Sequence, residues 1–162
     1  MDFKIDRDNN RVRVKREFAA ALPDVWAAWT QSELLDQWWA PKPWKARTKT
    51  MDFRPGGFWL YVMAGPEGEE HWSRADYLSI ENLRNFLAHD AFCDAEGVIN
   101  HDFPQSDWKA DFREESGSTF VSIEMSLESP DVLQTYIEMG FREGFTMALE
   151  NLDELLGSTG QK

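Results

Sequence analysis

The side chains able to do chemistry near neutral pH are few and scattered. The only histidines are His71, His89 and His101, and their separations of 18 and 12 residues match no zinc pattern. Cys93 is the single cysteine, so neither an internal disulfide nor a cysteine metal cage can form. No base stands next to it to make a thiolate; His89 lies four residues earlier. There is no glycine-rich phosphate loop, no Gly-x-Ser-x-Gly and no His-Glu-x-x-His. No metal, no cofactor and no catalytic set is expected. His89 and Asp90 are adjacent on an expected strand, so they point to opposite faces. An inward one would be expensive unless paired, which makes this pair the better site hint. The expectation is a solvated or hydrogen-bonded residue.

The aromatic residues are the richer signal, with eight Trp and eleven Phe. Trp26 and Trp29 stand three apart and read as the buried face of a short helix. Trp38 and Trp39 are adjacent and cannot both point inward on a helix, so one is expected at a cavity entrance. Asp52, Arg54, Gly56 and Gly57 could offer Arg54 to a substrate carboxylate. The favoured reading is a tight turn, with Pro55 fixing φ and glycine allowing positive φ.

These residues need elements to position them. Arg11 to Phe18 alternates and reads as a half-buried strand. Pro23-Asp24 opens a short helix, and Thr30-Gln31-Ser32-Glu33 reads as a capping box starting a second. Pro41 and Pro43 end it. Period two follows over Trp44 to Phe53, Phe58 to Met63, His71 to Ile80 and Asn85 to Phe92. Residues 93–107 are irregular. Trp108 to Arg113 is a strand with Trp108, Ala110 and Phe112 on one face. Thr119, Val121, Ile123, Met125 and Leu127 alternate with more polar neighbours in the clearest strand. Ser129 is a good N-cap and Pro130 fits the first helical position. Leu133, Ile137, Phe141, Phe145, Ala148, Leu152 and Leu156 then mark one amphipathic helix of about 25 residues, ending at Gly157. Ser158 to Lys162 is expected to fray. The predicted order is a strand, two short helices, six strands and one long helix.

The chain has 162 residues, enough for one domain with a substantial core, and an ordered core over about 11–157 is expected. Its net charge of −12 disfavours nucleic acid and anionic membranes as partners. Five bases against one acid between Lys42 and Arg54 make one edge basic. Six acids against Arg142 make the last helix acidic. No apolar run approaches membrane-span length, and Met1 to Arg7 lacks a signal-peptide core, so a cytoplasmic location is expected. Monomer and homodimer both stay open.

A long C-terminal helix must bury its stripe, and a curved antiparallel sheet is the only large apolar surface available. This is an α+β helix-grip arrangement, as in the START-like (SRPBCC, birch-pollen-allergen-like) superfamily. Arg16-Glu17-Phe18, Val25-Trp26-Ala27-Ala28-Trp29-Thr30 and Trp38-Trp39-Ala40-Pro41 resemble the activator of heat-shock-protein-90 ATPase family, in its C-terminal-like domain. So do Asp52-Phe53-Arg54-Pro55-Gly56-Gly57-Phe58-Trp59 and Glu143-Gly144-Phe145. The resemblance runs from about Val12 to Leu156 and implies one START-like domain. Co-chaperone members carry an N-terminal activating domain, whereas here Asp8-Asn9-Asn10 leads straight into the first strand. Strong ATPase stimulation is therefore not expected.

A sheet gripping a helix leaves a gap where facing residues are small, and Gly140, Gly144 and Ala148 form such a row. Tyr136, Phe141 and Phe145 on the helix, with Trp59, Tyr61, Tyr77 and Phe86 on the strands, could line it. Trp38 and Trp39 complete the expected site. Such a cavity, of ~300–1,000 Å³, would suit a small hydrophobic or amphiphilic ligand. The alternative is that aromatics fill the space. Ligand binding is the leading functional expectation. A chaperone-associated interaction module, implied by the resemblance, and an enzyme of the cyclase or hydrolase type are the alternatives.

Overall fold

The computed structural model describes residues 1–159. Its elements run β1 (Asp2–Asp6), β2 (Arg11–Phe18), α1 (Leu22–Thr30), α2 (Ser32–Trp38), β3 (Lys45–Met51) and β4 (Phe58–Ala64). They continue with β5 (Glu70–Glu81), β6 (Asn85–Cys93), β7 (Ser106–Glu115), β8 (Ser118–Leu127), α3 (Pro130–Glu138) and α4 (Phe141–Thr159). The eight strands form one curved antiparallel sheet in the order β1-β2-β8-β7-β6-β5-β4-β3. Register breaks at Thr48/Thr50 and Tyr77/Ser79 bend the β3–β6 side.

The concave face is written in strand parity. On β8, Thr119, Val121, Ile123, Met125 and Leu127 are buried and alternate with half-buried neighbours. Val12, Val14 and Phe18 of β2 and Ala110 and Phe112 of β7 continue that face. α4 lies over it with Phe145, Ala148, Leu149, Leu152 and Leu156 buried. The helix-grip arrangement is therefore present. α1 and α2 close one end. The Glu114 carboxylate on β7 accepts from Leu22 N at 2.8 Å, capping α1 with a group distant in sequence. The Asn151 side chain of α4 donates to the carbonyls of Trp38 and Ala40, at 3.4 and 3.1 Å, just past the last turn of α2.

Four expectations change. A strand, β1, precedes the strand expected first, making eight strands rather than seven and extending the ordered core to the N-terminus. Asp8-Asn9-Asn10 belongs to the hairpin turn, with Asn10 at φ 54° and the Asp6 carboxylate accepting from Asn9. Asparagine tolerates that left-handed conformation, so the turn costs little. The C-terminal helix is two helices. Gly140 adopts φ +84° between them, where an α-helix cannot continue. Ser129 caps α3 as expected, accepting from Val132 N. The capping box at Thr30 does not form. Thr30 is the last residue of α1, its hydroxyl bonds back to Trp26 O, and α2 begins after Gln31 without a side-chain cap. Finally, α4 runs past Gly157 to Thr159; the rest of the tail lies outside the described residues.

Candidate functional site

A cavity of about 330 Å³ lies between the β4–β7 strands, the α2–β3 connection and the α3–α4 corner. Ser73 on β5 is the small, buried sheet residue that borders it, and Gly144 is the small one from the helix. Six of the ten expected ligand residues line it: Trp39, Tyr61, Tyr136, Phe141, Gly144 and Phe145. The small row on the helix contributes less than expected. Gly140 is the helix break, Ala148 is core, and only Gly144 faces the space.

The remaining four lie elsewhere. Trp38 is 1% exposed, with its Nε1 donating to Ala28 O at 2.9 Å, and it does not line this cavity. Trp39 is thus the member of the pair that reaches the cavity. Trp59, Tyr77 and Phe86 line only a small inner void of about 40 Å³ beside it. Tyr77 and Phe86 belong to the aromatic core around Phe53, and Phe86 also meets Trp26 and Phe112. Packing by large rings, whose offset and edge contacts are favourable, leaves almost no room there. The indole Nε1 of Trp29, another wall of that void, has no hydrogen-bond partner among the described residues.

Sequence reasoning does not find two prominent walls. Trp44 is expected as the first residue of a strand, but β3 begins at Lys45; Trp44 lies in the connection before it and packs edge-on against His71 at 5.2 Å. Parity puts Trp108 on the correct face of β7 but does not show that this end of the strand underlies the cavity. It meets Trp39 at 6.0 Å and Phe145 at 5.6 Å. Met139, 49% exposed, and His71 mark the mouth.

The floor is polar at one spot. Trp39 Nε1 donates to Tyr61 OH at 2.9 Å. Trp108 Nε1 donates to Ser106 Oγ at 2.9 Å, and Tyr136 OH donates to the same oxygen at 3.3 Å. Between these lies Asp90, opposite Ala75 on β5 and Ser106 on β7. Asp90 is half-buried and lines the cavity. No hydrogen bond or ion pair from a described residue reaches its carboxyl, so of the two expected states, solvated or hydrogen-bonded, the second is not made by the protein. Burial pushes it up to about 7, with the Asp76 charge adding to the rise and His89 opposing it. Burial also raises the Tyr61, Tyr77 and Tyr136 hydroxyls, and the Asp90 charge reinforces each rise.

His89 takes the outer face, as strand geometry requires. Its ring bonds Asp107 and Gln105, both at 2.7 Å. Burial disfavours the charged ring, but those two bonds outweigh it and raise the pKa. Burial pushes the Cys93 thiol up to about 11, which suppresses its thiolate. Arg54 pairs with Asp52 at 2.6 Å in the tight turn, where Gly56 has φ +86°. A Cβ on Gly57 would collide with the Asp52 carbonyl. Among the described residues no group of three or more His, Cys, Asp or Glu could hold a metal ion. No described helix is long and apolar enough to cross a membrane.

The same architecture recurs in solved structures. Protein Ms6760 from Mycobacterium smegmatis is 30% identical, with 96% of each chain covered and a TM-score of 0.89. A protein from Arthrobacter aurescens, solved in solution, is 27% identical over 97% of this chain and 91% of that one, with a TM-score of 0.91. The AHSA1 protein from Silicibacter pomeroyi shares the fold at 20% identity, covering 92% and 99% of the two chains with a TM-score of 0.74. No curated protein matches in sequence. The family model described as "Activator of Hsp90 ATPase homolog 1-like protein" matches residues 19–157, from the end of β2 through the helices that roof the cavity. With six of the eight strands, both short helices and the cavity walls inside that match, the chain belongs to this family.

Proposed function

We propose that the protein binds a small hydrophobic or amphiphilic molecule in the cavity under the α3–α4 corner and does not transform it. One observation carries this reading: a space of about 330 Å³ remains open in a fold whose other aromatics are closely packed. Eight of its fifteen lining residues are Phe, Tyr or Trp. That volume is at the lower end of ligand sites, which favours compact molecules over sterol-sized ones. The test is a native mass spectrum of freshly purified protein, followed by fluorescence titration with fatty-acid, flavonoid and sterol-like probes. Trp39 and Trp108 in the wall should report occupancy. A saturable signal from at least one compact class, with the probe recovered unchanged, supports the reading. No saturable binding from any class contradicts it.

Asp90 favours one second reading. A carboxyl titrating near neutral pH can exchange a proton with a bound substrate, as general acid–base enzymes require. Chemical alteration of bound probes, abolished in Asp90→Asn, would establish an enzyme instead of a carrier.

A further inference from the structure

Asp90 is an anomaly for a purely apolar pocket. An ionisable group buried without a partner is costly unless something supplies the missing charge or hydrogen bonds. Among the described residues no Lys or Arg is placed there. The nearby Arg74 guanidinium is engaged by Asp76 at 2.6 Å and by the Gly97 carbonyl at 2.8 Å. The other polar groups of the floor are already committed to one another, Trp39 to Tyr61 and Trp108 and Tyr136 to Ser106. Asp90 is left facing the space with no hydrogen-bond or ionic partner among the described residues. Among the described residues it is the only acidic one in the lining, and no Lys or Arg lines the cavity.

The walls have the complementary property. Aromatic π faces attract cations, most strongly where water is excluded, and Trp is the best of them. Trp39, Trp44 and Trp108 all line this cavity, beside Tyr61, Tyr136 and Phe145. A net charge of −12 also raises the local concentration of cations around the protein.

We infer that the cavity selects organic cations, with a protonated or quaternary amine set against Asp90 and its apolar body against the tryptophan walls. The inference rests on the ligand-binding reading above and names the ligand class. A cation also explains how Asp90 is tolerated. The ligand supplies the missing positive charge and holds the carboxyl ionised, whereas the empty cavity leaves it near its titration point of about 7.

Affinity for a quaternary amine should therefore depend on pH through Asp90. Other titratable groups face it or act on it. β4 contributes Tyr61; β5 contributes Asp76, Tyr77 and, at the mouth, His71. β6 contributes His89 and Cys93, and α3 contributes Tyr136. α2 and α4 present no charge to the cavity. A protonated His89 would also repel a cation, so the Asp90→Asn variant is needed to separate the contributions.

The experiment is calorimetric or fluorescence titration with benzyltrimethylammonium and its neutral carbon isostere neopentylbenzene, with phenylacetate as the anionic probe. The wild type should bind the cation at least tenfold more tightly than the isostere at pH 8 and bind phenylacetate most weakly. That preference should shrink as pH falls from 8 to 5. In Asp90→Asn, shown folded by its circular dichroism, the cation-to-isostere ratio should collapse toward one and lose most of its pH dependence. Equal wild-type affinity for cation and isostere overturns the inference while leaving the ligand-binding reading intact. A cation preference that persists unchanged in Asp90→Asn also overturns it. Failure of every probe to bind wild type overturns both.

Discussion

Asp90 shows how much a single residue can reveal and where strand reasoning stops short. Parity from Phe86 through Ala88 places Asp90 inward and His89 outward, and this much is legible in the sequence. The absence of a partner is not, because partners on β5, β7 and α3 are set by register. The sign of its effect on stability follows from the direction in which burial moves its pKa. The folded protein favours the protonated carboxyl, which rises from 3.8 to about 7. Stability is therefore fully present below about pH 4 and is lost as pH rises toward 7. Each tenfold change in proton affinity corresponds to about 1.4 kcal/mol, so the loss is on the order of 4 kcal/mol at most. Asp90→Asn removes that dependence. Urea unfolding should show the variant gaining about 1–4 kcal/mol on wild type between pH 4 and pH 8. A difference independent of pH would contradict the placement. Asn151 is a second residue whose role is tertiary. Replacing it with Leu removes the donor to the Trp38 and Ala40 carbonyls and should destabilise by about 1–3 kcal/mol at all pH values.

Among the elements, β2, α1 and β4 to β8 follow from alternation, helical spacing and turn residues. The departures share a physical cause. Gly140 continues the spacing of small residues, so periodicity runs through it, and only its φ of +84° shows that the helix stops there. That break turns Phe141 and Phe145 over the cavity, stacked at 5.3 Å. β1 escapes sequence reading because a five-residue strand carries too few apolar positions to register; Phe3 finds its partner in Phe141, far along the chain. The row of small helix residues points to a cavity, yet only Gly144 of that row borders the space, with Ser73 the small residue on the sheet side. Gly140→Ala forces a Cβ into left-handed backbone and should cost about 1–2 kcal/mol. For a chain of this size that is roughly 2–8 °C in melting temperature. An unchanged or raised melting temperature would show that α3 and α4 can join into one helix.

At the scale of the whole molecule, the proposed ligand binding depends on an open space that close packing would otherwise remove. Gly144 offers a way to fill it. A Cβ there meets only Pro41 Cγ, at 3.8 Å, so the backbone tolerates a side chain, and a large one must extend into the cavity. The most direct test is titration of wild type and Gly144→Trp with the neutral fluorophore N-phenyl-1-naphthylamine, alongside thermal melts of both. The expected result is saturable one-to-one binding by wild type and at least tenfold weaker binding by a Gly144→Trp protein that still unfolds cooperatively. No saturable binding by wild type, or equal affinity in the two proteins, would contradict it.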